Sequence, residues 1–391
     1  MISKFSSKIY LDYAATTPVD ERVLETMAPY FIEHFGNPSS IHKFGQKTDA
    51  AVEKSRRTMA EIINCLPGEI IFTSCGSESD NLALRGAAHA ARKFRNANHI
   101  LISPVEHPAV TNTANQLFKE FGFDLEYLPV NEFGQVSPVD VADKIRKDTA
   151  VVSVVHANNE IGSVNPISDI GQICADYDVP FHTDSVQAAA HLPIDVKKLN
   201  VDLMAFGAHK FYGPKGIGAL YKRKGTDILP TQTGGGQEFG LRAGTSNVAY
   251  IVGQAEAFRL AEDEREARHD KMIPMRDHLI SQVLESIPDT KLTGHPTERL
   301  PNNASFVFRG VDGNELLMLL DVEGFACSSG SACKTGNPEP SDVTKAIGLS
   351  EDWALGSLRV SLGKSTTKDE ISKFIEILPK VVARNRSTRS K

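Results

Sequence analysis

The sequence has few cysteines, little net charge and no long apolar run. Five cysteines in 391 residues are too few, and odd in number, for the disulfide framework of a secreted protein, so we expect a free thiol and a cytoplasmic location. A net charge of -6 favours neither nucleic acid nor an anionic membrane surface as a partner. No stretch approaches the roughly 18 apolar residues of a membrane span. These absences leave an ordinary globular chain.

Apolar runs rich in Val and Ile alternate with segments whose apolar residues are spaced three and four apart. The predicted strands are 69–73, 99–102, 124–129, 149–156, 180–183 and 203–206. The predicted helices between them are 81–94, 109–121, 139–145 and 167–177. This alternation is typical of repeated βαβ units, and it predicts an α/β fold with a mainly parallel central sheet flanked by helices.

The order of elements changes after a long charged helix predicted over 249–284. The later predicted elements are a strand at 304–308, a helix at 314–322, a strand at 357–362 and a closing helix from residue 368. This order predicts a smaller α+β domain. We therefore expect a large domain over 15–261 and a small domain formed by 1–14 and 262–391.

Ligands of open α/β sheets collect beyond the carboxyl ends of the strands, so polar groups that follow each strand are candidate site residues. Lys210 follows the strand at 203–206, within a glycine-rich stretch. A lysine held there can form a Schiff base with a carbonyl cofactor, and pyridoxal phosphate is the commonest. A solvated surface lysine is the alternative.

Other strand ends carry groups that would fit the same cofactor. Gly76 and Ser77 enter a helix whose N–H groups could bind phosphate, although an ordinary N-cap is the alternative. His107 could lie on a flat aromatic ring and move protons, or it could be structural. Asp184, with Gln187 three residues on, could keep a pyridine nitrogen protonated, or it could cap a helix.

Small and polar residues surround two cysteines between residues 326 and 336. This composition predicts a mobile loop, over about 324–340, that presents the thiol of Cys333 to sulfur chemistry, because Lys334 adjoins it. A buried, inert thiol is the alternative, which we disfavour for Cys333 and keep for Cys327. No Cys-x-x-Cys pair or His-rich helix indicates a stable metal site. Arg359, on a predicted strand, could hold a substrate carboxylate bidentately or make a plain salt bridge.

Together these segments resemble the cysteine desulfurases, pyridoxal-phosphate enzymes of the class-V aminotransferase family and of aminotransferase fold type I. The motifs that carry the resemblance are YLDYAATTP (10–18), GNPSS (36–40), EH (106–107), HANNEIG (156–162), HK (209–210), SSGSAC (328–333) and Arg359. They span nearly the whole chain in the same order. The resemblance places this chain in the group whose cysteine lies in a Ser-Ser-Gly-Ser-Ala-Cys loop.

The resemblance implies a role for each matching residue. Lys210 would bind the cofactor covalently, Asp184 would pair with its ring nitrogen, and His107 would stack on its ring. The remaining cofactor contacts would be Asn159 and Gln187 near the phenolic oxygen, Gly76, Ser77, Gly207 and His209 at the phosphate, and Thr245 reaching across from a second subunit. Asn159 and Arg359 would bind the substrate. The role of Thr245 makes a homodimer the expected form.

The implied reaction converts L-cysteine to L-alanine and leaves a persulfide on Cys333. The sulfur would then pass to an acceptor such as an iron-sulfur scaffold or a tRNA-thiolating protein, and Cys333 could transiently ligate an iron-sulfur cluster. The alternatives are a selenocysteine lyase or an aminotransferase of the same fold, which need little or nothing from Cys333. A scaffold without catalytic activity is a third hypothesis.

Two positions depart from the family pattern. The chain has Gly207-Ala208 where the family commonly has Ser-Gly or Ser-Ala before His-Lys, and Ser77 replaces a usual threonine. The change at Gly207 removes a hydroxyl from the phosphate site. It predicts weaker retention of the cofactor, because a hydrogen bond to a charged group is lost.

Overall fold

A seven-stranded sheet forms the centre of the protein in a computed structural model, which describes residues 8–330 and 339–389. In chain order the strands are β1 (Ile9–Tyr10), β2 (Ile70–Thr73), β3 (His99–Ile102), β4 (Asp124–Tyr127), β5 (Thr149–Ser153), β6 (Phe181–Asp184), β7 (Leu203–Gly207), β8 (Gly218–Lys222), β9 (Gly236–Gln237), β10 (Arg242–Ala243), β11 (Thr290–Leu292), β12 (Asn303–Phe308), β13 (Phe325–Ala326) and β14 (Ser357–Ser361). The central sheet has the order β2-β8-β7-β6-β5-β3-β4. Only β8 runs against its neighbours in this sheet. The predicted α/β fold with a mainly parallel sheet is confirmed.

Helices cover both faces of this sheet. In chain order the α-helices are α1 (Glu21–Met27), α2 (Pro29–Ile32), α3 (Lys43–Ile62), α4 (Gly76–Arg95), α5 (Pro108–Phe121), α6 (Pro138–Lys144), α7 (Ile167–Asp176), α8 (Val248–Asp263), α9 (Arg265–Ser286), α10 (Gly313–Val322), α11 (Asp342–Ala346), α12 (Glu351–Ala354) and α13 (Lys368–Arg389). Among the described residues, none of these helices is both long and apolar enough to cross a membrane.

Alternate residues of the strands pack on opposite faces of the sheet, as the two-residue period of a strand requires. Phe206 of β7 packs in a core with α3 and α8, where it contacts Phe258. Leu203, three residues earlier on the same strand, packs with α4 and α5 on the other face. Each fully buried large side chain of this kind stabilises the fold by about 1.5 to 3 kcal/mol.

Helices α4 and α5 begin at the carboxyl-terminal edge of the sheet, where the candidate site lies. The N-cap of α5 is His107, followed by Pro108 at the first helical position, which needs no N–H partner. The helix ends at Gly122, whose φ of 65° is the left-handed conformation that glycine adopts without strain. The helix geometry therefore fixes the position of His107.

A second apolar cluster lies beside the central sheet. It joins the three-stranded sheet β11-β12-β14 to α9, α10 and α13, and it includes Leu11 from the start of the chain. β1 pairs in parallel with β13, which holds the N-terminal segment against this cluster. We propose that the boundary between the large and the small domain lies near residue 262, close to the end of α8.

Several elements differ from the sequence predictions. The single helix predicted over 249–284 is wrong: the chain forms α8 and α9, separated at Glu264, whose backbone leaves the helical region. Strand β8 was not predicted, because its glycine-rich surroundings indicate turns rather than a sheet. Helices α1 to α3 were also not predicted, and they precede the regular βα alternation on which the prediction was based.

Candidate active site

A cavity of about 170 Å³ opens at the carboxyl-terminal edge of the central sheet. It is lined by residues that follow β2, β3, β5, β6 and β7, namely Cys75, Gly76, Ser77, Asp80, His107, Val155, Ala157, Asn159, Asp184, Val186, Gln187, His209 and Lys210. The structure thus brings together eight residues predicted from sequence, which are Gly76, Ser77, His107, Asn159, Asp184, Gln187, His209 and Lys210. Gly207 lies at the end of β7, where an added Cβ would come 3.6 Å from the nitrogen of Gly76.

Lys210 lies in a short 3-10 turn directly after β7. Its Nζ donates hydrogen bonds to the carbonyl oxygens of Ala14 at 2.6 Å and Ala15 at 2.7 Å. Burial and the positive charge of Arg359 lower the pKa of Lys210 to about 8. A lower pKa increases the fraction of neutral amine, which is the form that attacks a carbonyl carbon. This lysine is therefore not a solvated surface charge.

Asp184 is the last residue of β6 and lies at the floor of the cavity. Its Oδ1 accepts a hydrogen bond from the backbone N–H of Val186 at 2.8 Å. Burial raises the pKa of Asp184, while His107 and Lys210 act in the opposite direction and favour the carboxylate. A carboxylate in this position can pair with a protonated ring nitrogen.

His107 and Gln187 are both held by backbone groups. His107 Nδ1 accepts the N–H of Ala109 at 3.1 Å, so a neutral ring carries its proton on Nε2. Gln187 Nε2 donates to the carbonyl oxygen of Ala14 at 2.8 Å, the same oxygen that accepts from Lys210. Both side chains therefore have fixed positions at the cavity.

The N-terminus of α4 faces the cavity through Gly76 and Ser77. The Sγ of the N-cap Cys75 accepts the N–H of Glu78 at 3.4 Å, and the N–H groups of Gly76 and Ser77 have no partner within the helix. A Cβ at Gly76 would lie 2.7 Å from Val186, which shows how closely the backbone approaches the cavity wall. Burial and Lys210 lower the pKa of His209 to about 4, so its imidazole is neutral beside a helix N-terminus, a position that favours anions.

Arg359 extends from β14 beside the cavity. One terminal nitrogen pairs with Asp12 at 2.9 Å, and the other donates to the backbone carbonyl of Asn159 at 2.9 Å. Its Nε is buried and has no hydrogen-bond partner in the described part of the chain. The salt bridge that the sequence left open is therefore present, and the Nε–H is a donor without a partner among the described residues.

Thr245 does not line this cavity. It lies with Arg242 and Ser246 in a neighbouring cavity of about 230 Å³. The chain's own Thr245 is therefore separate from the candidate phosphate site, and the contact of Thr245 with a second subunit stays a prediction.

Cys333 falls within 331–338 and so lies outside the described residues, as do eight of the seventeen residues of the loop predicted over 324–340. Shortly after these residues in the sequence, the Ser341 hydroxyl donates to Glu160 Oε2 at 2.5 Å. Burial raises the pKa of Glu160 to about 7. Burial and Asp12 raise the pKa of the Cys327 thiol. A raised pKa disfavours the thiolate, so Cys327 is a poor nucleophile.

Two buried acids at the site were not predicted. Asp80 of α4 lines the cavity, and Glu106 accepts hydrogen bonds from the Ser103 hydroxyl and the Val155 N–H. Burial raises the pKa of Glu106 to about 8. The signal for Asp80 was its position four residues after Gly76, which places both on one helix face. One carboxylate oxygen of Asp80, one of Asp184 and one ring nitrogen of His107 all lie within 4.8 Å of one another.

Comparisons with known proteins agree with this geometry. The family model described as aminotransferase class-V matches residues 9–374. The cysteine desulfurase IscS of Dictyoglomus turgidum is 46% identical over 380 residues, which cover 97% of this chain and 96% of that protein. The one from Methanosarcina thermophila is 45% identical over 99% of this chain and 95% of that protein.

Solved structures show the same similarity. A NifS-like protein superposes with a TM-score of 0.89 at 35% identity, covering 96% of this chain and all of that one. A structure described as SspA in complex with cysteine has a TM-score of 0.78 at 36% identity, covering 90% of this chain and 98% of that one. The chain belongs to the class-V aminotransferase family, among relatives that are cysteine desulfurases.

Proposed function

We propose that this chain is a pyridoxal-phosphate-dependent cysteine desulfurase that converts L-cysteine to L-alanine and receives the sulfur on Cys333. One observation carries the proposal: a lysine with a lowered pKa, a buried carboxylate and a helix N-terminus meet in one cavity at Lys210, Asp184 and Gly76. Class-V aminotransferases depend on pyridoxal phosphate. When bound, this cofactor withdraws electrons from the bonds around the substrate's Cα.

The described residues fit the cofactor. Lys210 would hold its carbonyl carbon, Asp184 its ring nitrogen, and His107 one face of its ring. Asn159 and Gln187 would contact the phenolic oxygen. Gly76, Ser77, Gly207 and His209 would surround the phosphate. The free N–H groups at the start of α4 and the close approach of Gly76 to Val186 support a phosphate there, because backbone donors point at the anion.

Several side chains would act directly on the substrate. The free donor of Arg359, with Asn159 beside it, would hold the carboxylate of L-cysteine. Lys210, once displaced by the substrate amine, would take or return the proton at Cα, since its pKa of about 8 lies near neutrality. His107 would move a second proton through Nε2, because its Nδ1 is occupied by the N–H of Ala109.

Cys333 would act as the sulfur acceptor. Its thiolate would attack the substrate sulfur, so that a new S–S bond forms as the substrate's Cβ–S bond breaks and its electron pair is protonated to give alanine. The persulfide would then pass to an iron-sulfur scaffold or a thiolation protein. Cys333 would also be free to ligate an iron-sulfur cluster transiently during that transfer.

We propose a homodimer in which Thr245 of each subunit contacts the other subunit's phosphate site. Two observations support this assignment. Thr245 lies outside its own chain's cofactor cavity. Large apolar side chains are also exposed between residues 24 and 44, and these are Leu24, Phe31, Ile32, Phe35, Ile41 and Phe44. An exposed apolar patch of this kind is typical of a protein interface.

A cytoplasmic location is part of the same proposal. The cysteines within the described ranges, Cys65, Cys75, Cys174 and Cys327, are all free thiols. Free thiols are typical of a reducing compartment.

Mass analysis of Cys333 after one turnover tests the function. We expect the peptide that contains Cys333 to gain the mass of one sulfur atom for each alanine formed, and to lose it when an acceptor protein or a thiol reductant is added. The peptide containing Cys327 is the internal control and should keep its mass, because its raised pKa disfavours the thiolate. Alanine formed without any gain at Cys333 would contradict the proposed sulfur acceptor.

The glycine at position 207 gives a separate prediction for cofactor retention. Its φ of -136° is open to serine, and a Cβ there would meet Val186 at 3.3 Å and the nitrogen of Gly76 at 3.6 Å. A hydroxyl added beside this helix end would give the phosphate one more hydrogen bond, which contributes about 1.5 to 3 kcal/mol when a charged group is involved. We expect Gly207→Ser to lower the cofactor dissociation constant by about tenfold.

Dialysis followed by titration with pyridoxal phosphate measures this change. Gly68→Ser is the matched control, because a Cβ at Gly68 meets nothing within 4 Å and the residue lies on the surface. Equal affinities for Gly207→Ser and the wild type would show that the missing hydroxyl costs nothing.

A further inference from the structure

A second buried acid stands beside Asp184, and the proposed mechanism gives it no role. Asp80 is 1% exposed and Asp184 is 6% exposed. One oxygen of each lies within 4.8 Å of the other and of a ring nitrogen of His107. Ionisation of two buried carboxyl groups this close together is strongly disfavoured. One of the two carboxyl groups therefore holds a proton at neutral pH.

The side chains of Asp80, His182 and Ser153 lie next to one another in a row. His182, fully buried on β6, lies two residues before Asp184 on the same face of the strand. Its Nε2 is 3.4 Å from Asp80 Oδ1, and in the described part of the chain neither atom has a hydrogen-bond partner. Its Nδ1 lies 2.8 Å from the Ser153 hydroxyl. A single proton can therefore lie between Asp80 Oδ1 and His182 Nε2.

His182 does not offer Asp80 a positive charge. Burial lowers the pKa of His182 to about 3, so its imidazole is neutral at physiological pH. The other groups that face Asp80 from neighbouring elements are Asp184 on β6, Glu106 before α5 and Cys75 at the start of α4. Burial and the carboxylate of Asp184 raise the pKa of Asp80. His107, whose ring nitrogen lies within 4.8 Å of both acids, lowers the pKa of Asp184, but among the described residues no cation lowers the pKa of Asp80.

Asp184 has the opposite surroundings. It accepts the N–H of Val186, and His107 and Lys210 lie close enough to favour its charged form. Of the two acids, Asp184 is therefore the one that keeps its charge, and Asp80 is the one that keeps its proton.

We propose that Asp80 is a positioning residue which, as a neutral acid hydrogen-bonded to His182, leaves the single negative charge of the pair on Asp184. The use of that charge, pairing with the cofactor's ring nitrogen, rests on the proposed function. The protonation of Asp80 does not, because it follows from the protein's own side chains. A neutral Asp80 places no second negative charge beside Asp184. The carboxyl group of Asp184, which would pair with the ring nitrogen, therefore stays ionised near neutral pH.

Difference infrared spectroscopy of the purified holoenzyme tests the protonation directly. We expect the spectrum of Asp80→Asn at about pH 7 to lose the C=O stretch of one protonated carboxyl group and to lose no carboxylate band. Asp176→Asn, at an exposed position on α7, is the control and should lose a carboxylate band only. Loss of a carboxylate band in Asp80→Asn would overturn the proposal.

The pH dependence of thermal unfolding supplies a second readout that a merely structural role would not move. An acid whose pKa is raised in the folded state contributes stability below its unfolded pKa, near 4, and that contribution is lost as the pH rises through its folded pKa. The stability of Asp80→Asn relative to the wild type should therefore rise as the pH increases above the unfolded pKa near 4, by up to about tenfold per pH unit in the unfolding equilibrium constant.

Asp176→Asn should follow the wild type across this range. Parallel curves for Asp80→Asn and the wild type, or a relative fall of Asp80→Asn with rising pH, would overturn the assignment. Neither readout uses turnover. A holoenzyme that made no alanine would refute the proposed function and leave the protonation of Asp80 standing.

Discussion

Replacing Lys210 by alanine should remove the covalent attachment of pyridoxal phosphate and lower turnover by at least about 100-fold. The reason lies in the position of the amine. Nζ is held by the carbonyl oxygens of Ala14 and Ala15 at the mouth of the cavity, with a pKa of about 8, so a neutral amine is available near neutral pH. Alanine removes the amine and leaves the rest of the cavity in place.

Borohydride reduction followed by peptide mapping measures the effect. The cofactor should become fixed to the peptide that contains Lys210 in the wild type, and to no peptide in Lys210→Ala. Lys215→Ala is the matched control, because Lys215 is exposed in the same glycine-rich stretch. Trapping on another lysine, or full turnover by Lys210→Ala, would show that the cavity is not the site of catalysis.

Replacing Cys333 by alanine should abolish the release of sulfur from L-cysteine while leaving the cofactor spectrum and cofactor affinity unchanged. The two effects separate because the residues that would hold the cofactor come from the central sheet and its helices, whereas Cys333 supplies only the sulfur nucleophile. Sulfide and alanine production, measured beside the absorption spectrum, gives both readouts on one sample.

Cys327→Ala is the control for this experiment. Its thiol packs against the second apolar cluster and has a raised pKa, so its removal should leave most of the activity. Persistent production of alanine and sulfide by Cys333→Ala would favour a selenocysteine lyase or an aminotransferase instead. A colourless protein that binds no pyridoxal phosphate would favour a scaffold without catalytic activity.

Regular elements were predicted closely where the local pattern was strong. The strand predicted at 99–102 has the same limits as β3, and the helix predicted at 109–121 differs from α5 by one residue. Each of these segments carries its own apolar period and its own caps. The break at Glu264 and the antiparallel β8 could not be predicted in this way, because packing against other elements decides them.

For the site, too, local patterns could be predicted from the sequence and contacts between distant segments could not. Lys210, Asp184 and His107 were found because each follows a strand, and the ends of parallel strands meet at one edge of the sheet. The carbonyls that hold Lys210 come from Ala14 and Ala15, far away in the sequence, and backbone oxygens leave no trace in residue type. The partnership of Asp80 with His182 joins a helix to a strand, and a local pattern does not reveal it.

The pairing of β1 with β13 has a consequence for synthesis on the ribosome. Ile9 leaves the ribosomal exit tunnel long before its partner Phe325, which lies more than 300 positions later in the chain. The opening segment, including the two alanine carbonyls that hold the lysine, therefore waits unpaired until most of the chain has been translated. A nascent polypeptide arrested before Phe325 would contain the amine of Lys210 without the strand that anchors its support, so the candidate site is assembled late in synthesis.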